Sequence, residues 1–277
     1  MATRSLVTAI AFLLAALLHA QASPDVDAVL ERLDAYLDTY ESQLSAVVAD
    51  ERLIQETEGR FQSKQRRRLD SDVAFLRLPG NREWLGFRSV TMIDGEPLVG
   101  GQSLTELLTI TTADAMAQAK LLVEASSKHN LGNPRTVNIP NLPLEMLGGK
   151  YRHRYAITVD GRTKVRGHAV DVLELVELGP PPIVYNGGYD LQSRLRAWID
   201  AQTGALWRAE VVMKGKAETR KPSKVRVEFA EDRNLKVLVP IEMREEFSVT
   251  NGSGRGVATY SNFRRFQTSA RIVPPPP

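Results

Sequence analysis

Residues able to do chemistry are sparse in this chain, and their spacing limits what they can do. Beyond the apolar N-terminal stretch there are three histidines, His129, His153 and His168, and the chain has no cysteine. No histidine pair has the short spacing of an HExxH helix, and thiolates are absent, so no metal site is expected. His129 follows a helical stretch and suits the negative end of its dipole. His153 and His168, with arginines nearby, are expected to face each other across a hairpin whose turn is "DGRTKVRG".

Ser103, in "GGQSLTE", lacks the strand–GxSxG–helix setting of a nucleophile elbow and reads as a helix cap. Glu245 and Glu246 alternate along a strand and point to opposite faces, so they do not make a two-carboxylate site. An inward Glu245 is either a cavity acid or, the preferred reading, the mark of a bulge or an edge. "NGSGRG", residues 251–256, reads as a tight turn, since the lysine and helix that follow a phosphate-cradling loop are missing. The Asn251-Gly-Ser triplet is also an acceptor pattern for glycosylation. These patterns give no catalytic motif, so neither an enzyme nor a cofactor is expected.

Two of the three tryptophans lie in "RAWIDAQTGALWRAEVVM", residues 196–213. If Asp200 and Ala205 close the turn, Trp198 stands opposite Trp207, on one face with Ala209, Val211 and Met213. Arg194 and Arg196 extend that face to a polar rim. Two readings stay open: tryptophans packed against a covering helix, or a cavity for an apolar group lined by Trp198, Trp207, Val211, Met213 and Arg196. The one sharp basic cluster is "KQRRRL", where Arg66, Arg67 and Arg68 form either an interaction patch or a solvated strand face.

The elements that position these residues are mostly strands. "AVVADERLIQET", "DVAFLRL", "EWLGFRSVTMI", "YRHRYAITV", "HAVDVLELVEL", "KVRVEFAED", "LVPIEMREEFSV" and "GVATYSNFRRF" alternate with period two, and nine or ten strands are expected. Short turns such as "DGEP" favour antiparallel pairing, and no βαβ rhythm appears. From Val26 to Leu44 the spacing of Val29, Leu30, Leu33, Leu37 and Tyr40 predicts an amphipathic helix, capped by Ser23 or Asp25. A helical zone spans Ser103 to Gly132, with a short helix at Leu104–Leu108, a longer one capped by Thr112, and an end near Asn130 or Gly132. "RTVNIPNLPLEMLGGK" is an irregular connection with one helical turn near Leu144–Leu147. The fold class expected is α+β: one large, curved antiparallel sheet with an N-terminal helix and a central helical insertion in its concavity, as a single domain over residues 23–277.

Arg4, the apolar run Leu6–Leu18 and "AQA" at Ala20–Ala22 read as a signal peptide cleaved after Ala22, a retained anchor being the alternative. The run is too short to span a bilayer, and no later one is apolar enough. A periplasmic or secreted protein is expected, its "PPPP" end an extended tail. With 36 basic and 33 acidic residues the charge is nearly balanced, and the isolated basic cluster lacks interleaved aromatics, which argues against nucleic acid. Without disulfides, stability must come from the core, which a chain of this length can bury. The sequence leaves the oligomeric state open.

Several segments resemble, as a set, a family of secreted bacterial proteins of unassigned function. They are "VVADERLIQET", "RRRLDSDVAFLRLPG", "WLGFRSV", "SSKHNLGN", "RTVNIPNLPLEML", "WIDAQTGALWRAEV", "VPIEMREEF" and "YSNFRRF". The C-terminal half is similar, more loosely, to the periplasmic lipoprotein-carrier superfamily typified by the outer-membrane lipoprotein-sorting proteins. That resemblance implies a curved half-barrel, a helical lid, and a lipid or lipoprotein partner bound on the concave face. It carries over no individual binding residue.

Overall fold

The computed structural model describes residues 24–44, 47–60, 62–77, 84–100, 121, 123–186, 189–215, 222–249 and 251–265. The signal peptide, the Leu104–Leu108 helix, the Thr112 and Ser103 caps and the proline tail lie outside the described residues.

Helix α1, Val26–Leu44, buries Val29, Leu33, Leu37, Tyr40 and Leu44 on one stripe, as its period requires. Its first turn is closed by Val29 N bonding Asp25 O at 3.1 Å, and Asp25 Oδ1 accepts from Asp27 N at 3.3 Å. Twelve described strands follow in one antiparallel sheet: β1 (Val47–Gly59), β2 (Gln62–Arg77), β3 (Trp84–Ile93), β4 (Glu96–Pro97), β5 (Tyr155–Val165), β6 (His168–Glu177), β7 (Val184–Asn186), β8 (Tyr189–Asp200), β9 (Leu206–Gly215), β10 (Ser223–Glu231), β11 (Leu238–Val249) and β12 (Gly252–Arg265). The two beyond the expected ten are β4 and β7, of two and three residues, too short to show alternation.

The strand order is β4-β3-β2-β1-β12-β11-β10-β9-β8-β6-β5, with β7 paired to β8. Most neighbours are consecutive hairpins; pairing of β1 with β12 joins the two ends of the chain in mid-sheet. The sheet is strongly curved. Helix α2, Leu142–Leu147, packs against β3 as well as β8 and β9. β3 and β8 are seven strand steps apart in the sheet, roughly 34 Å if it were flat at about 4.8 Å per step. One short helix reaches both only because the sheet curls around it. Helix α1 does the same between β2 and the pair β5 and β6. The fold is therefore the expected α+β half-barrel, with helices lying in its hollow.

Two turns differ from expectation. The β5–β6 turn is Arg166–Gly167, both at positive φ, and β5 runs through Asp160 and Gly161 with an irregularity between Val159 and Arg162. Consequently His168 opens β6 opposite Val165, whereas His153 sits in a 3-10 turn, Arg152–Arg154, at the far end of the hairpin. They do not face each other. The β11–β12 turn includes Asn251 at φ 59, so Gly252, Gly254 and Gly256 belong to β12 rather than to a loop. A Cβ at Gly254 would lie 2.2 Å from the Phe247 ring, and one at Gly256 would lie 2.6 Å from Glu245 Oε1. The glycines leave room for those two side chains to lie flat on β12.

Candidate functional site

The inner face of the sheet is divided. On β8, β9 and β10 it is mostly apolar, with Leu195, Ala197, Val211, Met213, Val225 and Val227 buried in the core that α1 and α2 also enter. On β3, β1, β12 and β11 the same inward positions carry Arg88, Glu51, Gln55, Tyr260 and Glu245, all buried. Alternation along β1 puts Val47, Ala49, Glu51, Leu53 and Gln55 on one side, so the polar groups are inward by register and not by a bulge.

These groups satisfy one another. Arg88 pairs with Glu51 through both arms: Nε donates to Oε2, and Nη2 to Oε1 at 2.8 Å. Arg88 Nη2 also donates to Asn138 O at 2.8 Å, and Tyr260 Oη donates to Glu51 Oε1 at 2.9 Å. Burial alone would loosen the Arg88 proton, but the adjoining Glu51 carboxylate outweighs it and holds the guanidinium charged. Burial, with Glu51 beside it, keeps the Tyr260 hydroxyl well above the ordinary tyrosine range, so it remains a donor. Gln55 Nε2 donates to Glu245 Oε1 at 2.6 Å and to Asn130 Oδ1 at 2.7 Å, while its Oε1 accepts from Leu131 N at 2.8 Å. Arg135 pairs with both oxygens of Glu245 at 3.2 Å, and its guanidinium stacks 3.4 Å over the Phe247 ring. Asn138 Nδ2 completes the network on Asn130 Oδ1 at 2.8 Å. Glu245 is thus a buried ion-pair partner and does not mark an edge or bulge.

The physical effect is to fasten a strap. Asn130, Arg135 and Asn138 belong to the irregular segment 128–141, which has no strand or helix of its own to hold it down. The Asn130 and Arg135 side chains bind it to β1 and β11, and the Asn138 carbonyl binds it to Arg88 of β3. A cavity lies on each side. The larger, about 530 Å³, is bounded by Arg88–Val90 of β3, by Leu98–Gly100, and by Leu121, Glu124, Ala125, Ser126, Lys128 and His129. It falls within the roughly 300–1,000 Å³ of small-molecule clefts. The smaller, about 250 Å³, is lined mainly by Val137, Leu142, Met146, Tyr151, Ile183 and Val184. Val99 is 96% exposed and Leu121 56% exposed, and both stand at the larger cavity. Lys128 and His129 supply its polar end, and Arg67 Nη1 donates to His129 O at 2.9 Å. Burial, then Arg67 and Lys128, holds the His129 imidazole below its ordinary value, so it is neutral at pH 7.

The residues singled out from the sequence are not brought together. Asp200 and Ala205 do close the β8–β9 turn, with Asp200 N bonding Ala205 O at 2.8 Å. The register then shifts by one between Trp198 and Ile199, so that Trp198 stands opposite Arg208 and Ala197 opposite Ala209. Trp207 is the extra residue, held by Nε1 donating to Asp200 Oδ2 at 3.2 Å and stacked 3.9 Å from the His168 ring. Trp198 and Arg196 alternate with the buried Leu195, Ala197 and Ile199 and face outward. There the Trp198 ring has the Arg196 and Arg208 guanidiniums 5.7 and 5.3 Å from its centre. Val211 and Met213 are core residues at 0% and 1% exposure. The five do not form one lining. The basic cluster is divided as well. Arg66 is exposed, Arg68 pairs outward with Asp70 at 2.7 Å, and Arg67 reaches the strap.

The network itself was not expected, although every member lies in a segment named above for the family resemblance. The available signal was polar residues at inward strand positions, Glu51, Gln55 and Glu245, set against loop residues Asn130, Arg135 and Asn138.

No family model matches the sequence, and no curated protein matches it. Among solved structures, the chain is similar to a DUF1329-family protein of Desulfovibrio piger, at 14% identity over 88% of this chain and 94% of that one, with a TM-score of 0.39. It is similar to a LolA-superfamily protein of Nitrosomonas europaea at 12% identity, covering 89% and 96% of the two chains, TM-score 0.37. It is also similar to a Vibrio parahaemolyticus domain assigned to the outer-membrane lipoprotein-sorting proteins, at 12% identity, 90% and 96% coverage, TM-score 0.44.

Proposed function

We propose that this is an exported carrier-like protein that holds the apolar part of a lipid or lipid-modified partner. The site is the cleft between β3, the Leu98–Gly100 turn and the residues Leu121, Glu124, Ala125, Ser126, Lys128 and His129, and not the tryptophan hairpin. One observation carries the reading: Val99 and Leu121, two of the most exposed large apolar side chains among the described residues, stand at a cavity of about 530 Å³. Apolar groups left in water beside a ready cavity gain by covering an apolar ligand. The N-terminal apolar run supports export, and no helix among the described residues is long and apolar enough to cross a membrane.

The test is native mass spectrometry of the protein from its own host, together with titration of a fluorescent fatty acid. A co-purifying lipid is expected, and the Val99→Asp/Leu121→Asp pair should weaken the fatty acid about tenfold, since each charge must be desolvated on binding. Trp198→Ala should leave it unchanged. A lipid-free protein whose fatty-acid binding ignores the Val99/Leu121 pair would end this reading.

A second reading is an envelope interaction module with a filled core. It draws on the burial of Leu33, Tyr40, Val211 and Met213 in the centre of the hollow. It predicts a protein partner whose capture survives delipidation and fails on charge reversal of Arg66, Arg67 and Arg68.

A further inference from the structure

A second cleft, of about 470 Å³, opens on the outer face of the sheet across β12, β1, β2 and β3. Strand register sets its floor. Thr259, Arg52, Asp70 and Met92 form one row over four strands, and Ser261, Asp50 and Asp72 form the next. Asp50 and Asp72 are direct cross-strand partners, and like charges so placed destabilise a sheet. Arg264 relieves the pair by donating to Asp50 at 2.7 Å and to Asp72 at 2.8 Å. Asn262 Nδ2 donates to Asp50 at 2.7 Å, and Asp70 takes Arg52 at 3.1 Å and Arg68 at 2.7 Å.

The backbone is irregular at the same place. The β1–β12 register shifts between Val48 and Asp50, the β2–β3 register shifts between Asp70 and Ser71, and Asn262 has φ 53. Bulges re-aim side chains and gather beside binding sites. Two of them, one carrying the left-handed Asn262, and an opposed aspartate pair in one spot are departures from local rules of the kind functional sites retain.

The composition selects a ligand class. Of the four acidic residues at the cleft, Glu51 is paired inward with Arg88, and Asp50, Asp70 and Asp72 are matched by Arg52 and Arg68 in its lining and by Arg264 beside it, so an added anion or cation meets like charges at close range. No group of three or more His, Cys, Asp or Glu side chains among the described residues is arranged to hold a metal ion. An apolar ligand would find only Met92, 40% exposed. What fits is a neutral molecule with many hydroxyls. Fixed carboxylates accept from them, fixed guanidiniums and Asn262 donate to them, Thr259 and Ser261 do both, and Met92 can cover a C–H face. We propose that this outer cleft binds a neutral glycan, independently of the cleft at Val99 and Leu121.

Saturation-transfer NMR and calorimetry on the purified full chain test this, with chitotetraose and maltotetraose as probes and inorganic phosphate and calcium chloride as competitors. Saturable binding of at least one oligosaccharide is expected, weakened about tenfold by Asp70→Asn, which removes a charged acceptor. Ser261→Trp, at an exposed position, should abolish it by filling the cleft while leaving Asp70, Arg52 and Arg68 unsubstituted. Fatty-acid binding should be unchanged in both variants, so loss of one activity is separable from loss of the other. Absence of binding by both oligosaccharides overturns the proposal. So does binding that ignores Ser261→Trp, or displacement of the sugar by phosphate or calcium.

Discussion

Methionine at position 88 would keep most of the arginine stem and remove its charge. The Glu51 side chain is fully buried, and it would be left with the Tyr260 hydroxyl at 2.9 Å as its remaining partner; the Asn138 carbonyl would lose a donor. Removing one member of a buried pair costs about 3–5 kcal/mol, because the other charge stays desolvated and uncompensated. At ~2–4 °C per kcal/mol for a domain of this size, the unfolding midpoint of Arg88→Met should fall by ~6–20 °C. The double variant Arg88→Met/Glu51→Leu removes both charges, and Tyr260 keeps the Met243 sulfur at 3.8 Å as an acceptor. Replacement of a whole buried pair by apolar side chains is often close to neutral, so the double variant should regain most of the loss. Thermal unfolding of both, followed by tryptophan fluorescence and far-ultraviolet circular dichroism, gives the comparison. A double variant no more stable than Arg88→Met would refute the reasoning and assign Arg88 a role in shape rather than charge.

Outward placement of Trp198 predicts that Trp198→Ala costs under about 1 kcal/mol, whereas Met213→Ala, in the core, costs about 2–5 kcal/mol; denaturant midpoints decide between them. Gly254→Ala should cost about 1–3 kcal/mol by pushing Phe247 from beneath Arg135, and a native-like midpoint would contradict the close approach. In acid, burial pushes Asp200 up, but the Thr203 and Gln202 amides and the Trp207 indole outweigh it and hold the carboxyl below the ordinary range. Asp50 is likewise held down by Asn262 and Arg264 against the push of burial. A lowered native value means stability that is present above the unfolded value, about 4, and is lost as pH falls through the native one. The Asp200 and Asp50 contribution should therefore be constant above about pH 5 and decline below about 4, with a less steep loss of stability below pH 4 in Asp200→Asn; equal profiles below pH 4 would count against the Asp200 contacts.

What the chain determines locally was legible in the sequence. The 3.6-residue stripe of α1, the period-two strands, the Asp200–Ala205 closure and the lone helical turn before Leu147 are set by contacts within a few residues, so neighbouring side chains suffice to specify them. The face of a strand past a bulge is different. One extra residue at Trp207 moves Trp198 from the hollow to the outside, because side chains alternate with a period of two. No local signal announces that shift; it is fixed by Asp200 capturing the indole and by Ala197 and Ile199 filling the core instead. The buried network was equally out of reach, since Arg135 meets Glu245 across 110 residues and Tyr260 meets Glu51 across 209. Those charges tolerate burial only where the curled sheet brings β1, β3, β11, β12 and the strap together, and that convergence exists only in the folded chain.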